Sequence, residues 1–295
     1  MNEKQFCIIH ADLDGAMSYL LLCKYLNKKI PFRPISQADF SNYWKKTVLP
    51  KIFYFEKIYT LDLEICEDYN FFNYNNVFIC DHHKCSVEKS PFLTHSENYL
   101  KESTSNSLLL YKSLKNKYGF KLSDREKLLL MLVDDYDSYQ LKNDNSKKLN
   151  YLFNSYSGNR VDKFYNEFFK GFNGFNNFQQ NSINIYVKHL AEIIKNLKIF
   201  TNYQTISNKN IKFSSAFSNF GINDIAEYLL KKTGSDISIV INLKQMKVSF
   251  RRSRTSNISC KAIANIICDG SGHDFAAGGP INEKFLEFSK NFIEL

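Results

Sequence analysis

The stretch Val77-Phe78-Ile79-Cys80-Asp81-His82-His83 decides how this chain is read. An apolar run of strand length ends abruptly in a carboxylate and two imidazoles. A second run, Phe6 to Ile9, ends in the same way in His10-Ala11-Asp12-Leu13-Asp14-Gly15. A third, Lys57 to Leu61, delivers Asp62. Carboxylate oxygens and imidazole nitrogens gathered together make a donor set for divalent cations. Open α/β sheets bind ligands outside the carboxyl ends of their strands, which is where these clusters fall. A single cluster of this kind reads as a polar loop after a strand. Two clusters joined by a third strand-end acid read as a metal centre.

Working outward, strand-like and helix-like segments alternate over the first 140 or so residues. Phe6–Ile9, Pro31–Ile35, Lys57–Leu61 and Val77–Cys80 read as strands, the second an edge strand because of its prolines. Helices are expected over Gly15–Leu26, from the Ser103-Thr104-Ser105 cap to about Lys117, and over Asp124 to about Val133. Ser123 and Glu126 form a capping box for the last of these, and Gly119 ends the one before. Strands separated by helices imply a parallel sheet with right-handed crossovers. From about Asn143 to Asn202 the pattern is helical only, over 147–156, 160–171 and 178–199. Alternation then resumes: a strand over Ile211–Ala216, a helix over Asn223–Lys232, a hairpin pair Ile237–Leu243 and Lys247–Arg251, and a helix over Ser259–Cys268. The expected fold class is α/β with two domains: a parallel-sheet domain over 1–142, a helical connector over 143–202, and a smaller mixed-sheet domain over 203–295.

Composition sets bounds. The 295 residues suffice for one or two real cores, and 44% hydrophobic with 23% charged residues is ordinary for a globular protein. No apolar stretch approaches the ~18 residues of a membrane span. The first residues lack a signal-peptide pattern, and the seven cysteines are odd in number and form no CxxC pair. They read as reduced thiols, so a cytoplasmic location and no membrane partner are expected. A formal charge of +9 with 15% aromatic residues suits a polyanionic partner, though lysines also serve solubility.

Side chains at 10, 12 and 14 point the same way if the strand stays extended past its end. Gly15 and Ser18 open a helix, whose N-terminus favours a nearby phosphate. Asp62 supplies a carboxylate from the neighbouring strand, suited to bridging two ions, and His82 and His83 add imidazoles. A further acid comes from Asp134-Asp135-Tyr136-Asp137. Asp137 is the first choice, Asp134 the rival and Asp135 the third option. Near the C-terminus, Gly270-Ser271-Gly272-His273-Asp274-Phe275-Ala276-Ala277-Gly278 is a chain of small residues that lets backbone amides approach a ligand. Arg251, Arg252 and Arg254 lie upstream with fork-shaped donors, and Phe275 is the aromatic best suited to stack on a base.

These motifs, in this order, resemble the DHH-family phosphoesterases with a DHHA1 accessory domain, such as nano-RNases and bacterial single-strand exonucleases. His10 to Gly15 is similar to the first motif, Asp62 to the second, and Asp81-His82-His83 to the third, which names the family. The 270–278 loop resembles the accessory domain's GGGHxxAAG signature with serine at the second glycine, and Val248-Ser249-Phe250-Arg251 its arginine-bearing strand. The fourth motif departs: the family's acid is often followed by Thr-Gly, where this chain has Asp137-Ser138-Tyr139.

The resemblance implies two divalent ions, Mn2+ first, with Mg2+ or Co2+ as alternatives. His10, Asp12 and Asp62 would hold one. Asp14, Asp62, His82 and Asp137 would hold the other, with Asp62 bridging. Asp62, His82 and His83 are the catalytic candidates, and Asp81 orients its neighbours. Arg251, Arg252, Gly272, His273, Phe275, Ala277 and Gly278 are the substrate-binding candidates. The expected activity is hydrolysis of short oligonucleotides, nanoRNA or short single-stranded DNA, to nucleoside monophosphates. Alternatives in the same chemistry are a cyclic (di)nucleotide phosphodiesterase and a 3′,5′-bisphosphate nucleotidase. Of another class is a degenerate relative that only binds nucleic acid or a partner protein.

Overall fold

The computed structural model describes residues 4–65, 69–272 and 274–290. The chain divides into two compact units, one running to Tyr186 and one from Val187 onward.

The first unit opens with β1 (Gln5–His10), α1 (Leu13–Tyr25), β2 (Phe32–Ile35) and α2 (Gln37–Tyr43). It continues through β3 (Lys57–Leu61), β4 (Val77–Asp81), α3 (Lys84–Lys89) and β5 (Glu97–Leu100). The helices α4 (Asn106–Tyr118), α5 (Asp124–Asp137), α6 (Asp144–Ser155) and α7 (Arg160–Phe168) follow. The strands lie in the order β2-β1-β3-β4-β5, every neighbour parallel. The chain leaves β1 for β2 on one side and returns to β3 on the other. A crevice therefore opens at the carboxyl ends of β1 and β3, the switch point where such sheets take ligands.

Both faces of this sheet are covered, which is why its strands read as continuous apolar runs. Cys7 and Ile9 point into a core shared with α1, α4 and α5. Ile8, Ile58 and Ile79 point into a second core with Phe40, Trp44 and Phe72. The single tryptophan, Trp44, is fully buried, stacks on Phe72 at 4.3 Å and donates its indole N–H to Phe71 O. Leu149, Leu152, Phe153, Val161, Phe164 and Phe168, from the region read as a connector, belong to the first of these cores. α7 lies against α1, with Tyr165 and Tyr19 rings 5.8 Å apart.

The helix α8 (Asn177–Lys195) begins in the first unit and ends in the second. The second unit then comprises β6 (Phe200–Ile206), β7 (Lys209–Phe217), α9 (Ile222–Thr233), β8 (Ile237–Asn242) and β9 (Lys247–Arg252). It closes with α10 (Cys260–Cys268), β10 (Ser271–Gly272), β11 (Ala276–Pro280) and α11 (Glu283–Ser289). Its sheet has the order β10-β11-β9-β8-β7-β6 and is mixed: β7 and β8 are parallel and the other neighbours antiparallel. The architecture is thus the expected pair of α/β domains, one with a parallel sheet and one with a mixed sheet. The glycine-rich segment expected as a loop instead supplies two strands.

Cys7, Cys23, Cys80, Cys260 and Cys268 are free and buried. Cys85 is disulfide-bonded, so the expectation of uniformly reduced thiols does not hold there. Among the described residues no helix is long and apolar enough to cross a membrane.

Phe164 is fully buried between Phe153 and Phe168. Phe164→Ala should therefore cost about 3–5 kcal/mol, read as a lowered urea midpoint by circular dichroism. An unchanged midpoint would show that α7 is not part of the first core.

Candidate metal centre

His10 is the last residue of β1, and Asp12 is the N-cap of α1, where its Oδ1 accepts the Gly15 N–H at 2.9 Å. Asp14 falls in the first turn of α1, so residues 10, 12 and 14 converge through a helix start and not through extended alternation. A Cβ on Gly15 would lie 2.2 Å from His10 O. The missing side chain is what lets the helix begin so close beneath the strand end.

Asp14 is buried, and both of its oxygens are held by the start of α4: Asn106 N–H donates to Oδ2 at 2.7 Å and Ser107 N–H to Oδ1 at 3.0 Å. Helix N-termini favour a carboxylate there. Asp62 follows β3 with φ of +61°, a left-handed conformation uncommon for residues other than glycine, asparagine and aspartate. Its N–H is tied to Cys80 O at 2.9 Å. Asp62 Oδ2 lies 3.7 Å from His10 Nδ1, and its Oδ1 lies 3.5 Å from His82 Nε2. One acid thus faces both strand-end clusters.

Asp81, the last residue of β4, is fully buried, and its Oδ1 is 2.6 Å from His83 Nδ1. His82 Nδ1 is 3.1 Å from the Ser103 carbonyl, which leaves its Nε2 toward Asp62 and Asp137. A ring nitrogen engaged in this way fixes the tautomer presented by the other.

The three acids at the end of α5 separate by partner. Asp134 Oδ1 accepts from Thr104 Oγ1 at 2.5 Å and Ser105 Oγ at 2.7 Å, joining α5 to the start of α4. Asp135 accepts from Lys142 N–H, Asn143 N–H and Ser146 Oγ, and so braces the start of α6. Asp137 is turned to His82, with 3.9 Å between Oδ2 and Nε2. It ends α5, which runs one turn beyond the expected limit near Val133.

Three groups result whose donor atoms lie within 4.8 Å of one another: His10-Asp12-Asp62, Asp14-His82-Asp137 and Asp62-His82-His83. Each mixes carboxylate oxygen with imidazole nitrogen, so the donor chemistry fits a hard or borderline divalent cation. The charges are balanced by protons. Burial and the Asp62 charge push Asp14 up to about 7. Burial, Asp14 and Asp62 hold Asp137 well above the usual carboxylate range. Burial pulls His82 down, but Asp62, Asp14 and Asp137 outweigh it and raise the imidazole to about 11. Burial likewise opposes the charged form of His10, yet Asp12 and Asp62 hold it well above its ordinary value.

In the second unit, Arg251 and Arg252 end β9. Arg251 donates to Asn223 Oδ1 at 2.5 Å and to Phe250 O at 2.8 Å. Arg252 lies over the Phe275 ring at 3.9 Å, and its Nε is buried with no partner among the described residues. Gly272 pairs with Ala277 between β10 and β11, and Gly278 pairs with Ser249 of β9. A Cβ on Gly272, whose φ is +139°, would lie 2.6 Å from Ala276 O. Arg251, Arg252, Gly272, Phe275, Ala277 and Gly278 therefore share one end of this sheet. His273 lies outside the described residues. Sequence reasoning missed Asn223, which holds Arg251 from the first turn of α9; a lone asparagine at a helix start carried no signal.

Two outcomes follow. Asp14 binds its proton more tightly in the folded chain (about 7 against 3.8), as does His82 (about 11 against 6.5). Chelator-treated protein should therefore lose stability through Asp14 as pH rises from about 4 to 7, and through His82 from about 6.5 to 11. Divalent cation, displacing those protons, should flatten the decline. A thermal midpoint that climbs between about pH 5 and 9 in chelator contradicts the proton-balanced cluster. Gly15→Ala should cost about 1–3 kcal/mol and weaken cation binding, because the backbone at His10 must move; wild-type calorimetric affinity in that variant would refute it.

No protein-family model matches the sequence, and no curated protein does. Solved structures do. A DHH domain from a protein described as belonging to a family of ribosomal proteins matches with a TM-score of 0.59 at 14% identity, over 100% of this chain and 87% of that one. PggH, a pGpG-specific phosphodiesterase from Vibrio cholerae, matches with a TM-score of 0.53 at 14% identity, over 97% and 96%. RecJ from Thermus thermophilus, in complex with Mn2+, matches with a TM-score of 0.56 at 13% identity, over 98% of this chain and 51% of that one. With both sheets covered by such matches, the chain has the two-domain α/β fold of the DHH phosphoesterases.

Proposed function

We propose that this chain is a metal-dependent phosphodiesterase that hydrolyses short oligonucleotides to nucleoside monophosphates. The observation that carries this reading is Asp62, which turns one oxygen toward His10 and the other toward His82. That arrangement supports two cations bridged by one carboxylate. His10, Asp12 and Asp62 would hold the first, and Asp14, Asp62, His82 and Asp137 the second, with Mn2+ preferred and Mg2+ or Co2+ as substitutes. The chemistry such ions supply is Lewis-acid polarisation of phosphoryl oxygen and activation of water near neutral pH.

The residues divide the remaining work. Asp81 fixes His83 through Nδ1, and the imidazole so oriented would meet a phosphate oxygen or carry a proton. In the second unit Arg251 and Arg252 would take nucleotide phosphate by paired donors, and Phe275 a base by stacking. Gly272, Ala277 and Gly278 would admit the nucleotide close to the backbone, and His273 would touch its phosphate. The preference for a short substrate agrees with PggH, whose name gives the dinucleotide pGpG as its substrate. RecJ, solved in complex with Mn2+, supports a divalent cation.

Purified full chain with Mn2+ should cleave end-labelled dinucleotides and oligomers of a few nucleotides, and chelation should abolish this. Asp62→Asn keeps a residue type that tolerates the left-handed backbone, so its loss of cleavage reports on the ligand and not on folding. His82→Ala should likewise fall to background. Full cleavage by both variants would sink the proposal. A substrate panel that includes cyclic dinucleotides and 3′,5′-bisphosphates tests the substrate class: preference for either over the dinucleotide replaces the oligonucleotide reading.

A further inference from the structure

Ala11, the residue between His10 and Asp12, is held from both sides. Its nitrogen, Ala11 N–H, donates to Ile35 O at 3.1 Å, where β2 ends beside β1. Its carbonyl, Ala11 O, accepts from Arg160 Nη2 at 3.1 Å, across 149 residues of sequence. Arg160 is the first residue of α7, and its other terminal nitrogen, Nη1, donates to Asn154 Oδ1 at 2.8 Å. The guanidinium also lies over the ring of buried Phe153, 5.1 Å from its centre. A planar fork clamped by a carbonyl, an amide and an aromatic face has little freedom to turn.

The helix that carries it is fixed without it. Val161, Phe164 and Phe168 are buried in the first core, and Asp162 pairs with Lys29 at 2.8 Å. The Arg160 guanidinium is therefore a fixed strut whose far end meets the Ala11–Asp12 peptide, on the short link between two proposed ligands. Rotation of that peptide would swing the Asp12 carboxylate away from His10 Nδ1, now 2.8 Å distant, and from Asp62.

The geometry points to Arg160 as a positioning residue that sets the His10-Asp12-Asp62 half of the metal centre, an inference that rests on the two-cation reading. The Asp14-His82-Asp137 half is braced separately, by the α4 amides and the Ser103 carbonyl. The effect of Arg160 is accordingly confined to one cation. Lysine cannot replace it fully, because a single ammonium does not reproduce the rigid two-ended fork.

Mn2+ titration of the full chain, followed by the paramagnetic resonance of the free ion, tests this. Wild type should bind two ions. Arg160→Gln should weaken one of them by about 10–100-fold and leave the other unchanged, as loss of a supporting contact does elsewhere. The thermal midpoint of the chelated protein should stay near that of wild type. Arg160→Lys should fall between the two, and dinucleotide cleavage by Arg160→Gln should return as Mn2+ is raised, which a misfolded site would not show. Should Arg160→Gln fail to fold, Asn154→Ala loosens the same guanidinium without touching α7 and should give a smaller shift in the same ion. Wild-type affinity for both ions in Arg160→Gln, or in Asn154→Ala where that variant stands in, overturns the inference and leaves the metal centre standing. Equal weakening of both ions also overturns it. A wild-type chain that binds no Mn2+ removes the metal centre itself, and the inference with it.

Discussion

Carboxylates crowded into a space of a few ångströms repel one another, and this chain holds Asp12, Asp14, Asp62 and Asp137 together despite that repulsion. The parallel sheet supplies the first part of the answer. Its strand ends are fixed by ladders on both sides, so His10, Asp62 and Asp81 cannot drift apart. The second part is local compensation: backbone amides of α4 on Asp14, the Gly15 amide on Asp12, and imidazoles interleaved with the acids. What remains uncompensated is taken up by protons. Such a cluster is poor at stabilising a fold and well suited to receiving cations.

Much of the arrangement surrounding the cluster can be traced to this requirement. Asp134 and Asp135 are neighbours of a proposed ligand in sequence, yet each serves a helix start and keeps its charge away from the centre. Asp62 adopts a backbone conformation that few side chains accept, which turns its carboxylate between the two imidazoles. The cost of such a conformation is of order 1–3 kcal/mol, and the Cys80 carbonyl that receives its N–H is part of what holds it.

The strand ends were legible in the sequence because each apolar run stops at a polar cluster, and that transition survives without knowledge of packing. The two-sheet architecture was legible for the same reason. What lay beyond reach depended on distant partners. Asp137 is the first choice from its place at the helix end, but what sets Asp134 aside is its pairing with Thr104 and Ser105, thirty and twenty-nine residues away. Arg160 and Asn223 act through single long-range bonds and leave no periodic trace. β5 and β6 escaped notice because their half-buried patterns are mostly polar, and β10 and β11 because glycine and alanine signal a loop until a neighbouring strand pairs with them.

Trp44 has a consequence of its own. It lies beneath the sheet face opposite α1, in the core that includes Ile8 and Ile79, and no other indole competes with it. Its emission is therefore a built-in optical gauge of that layer: blue-shifted while Phe72 covers it, red-shifted once water reaches it. Opening of the outer layer can be followed by light alone, with no label attached to the chain.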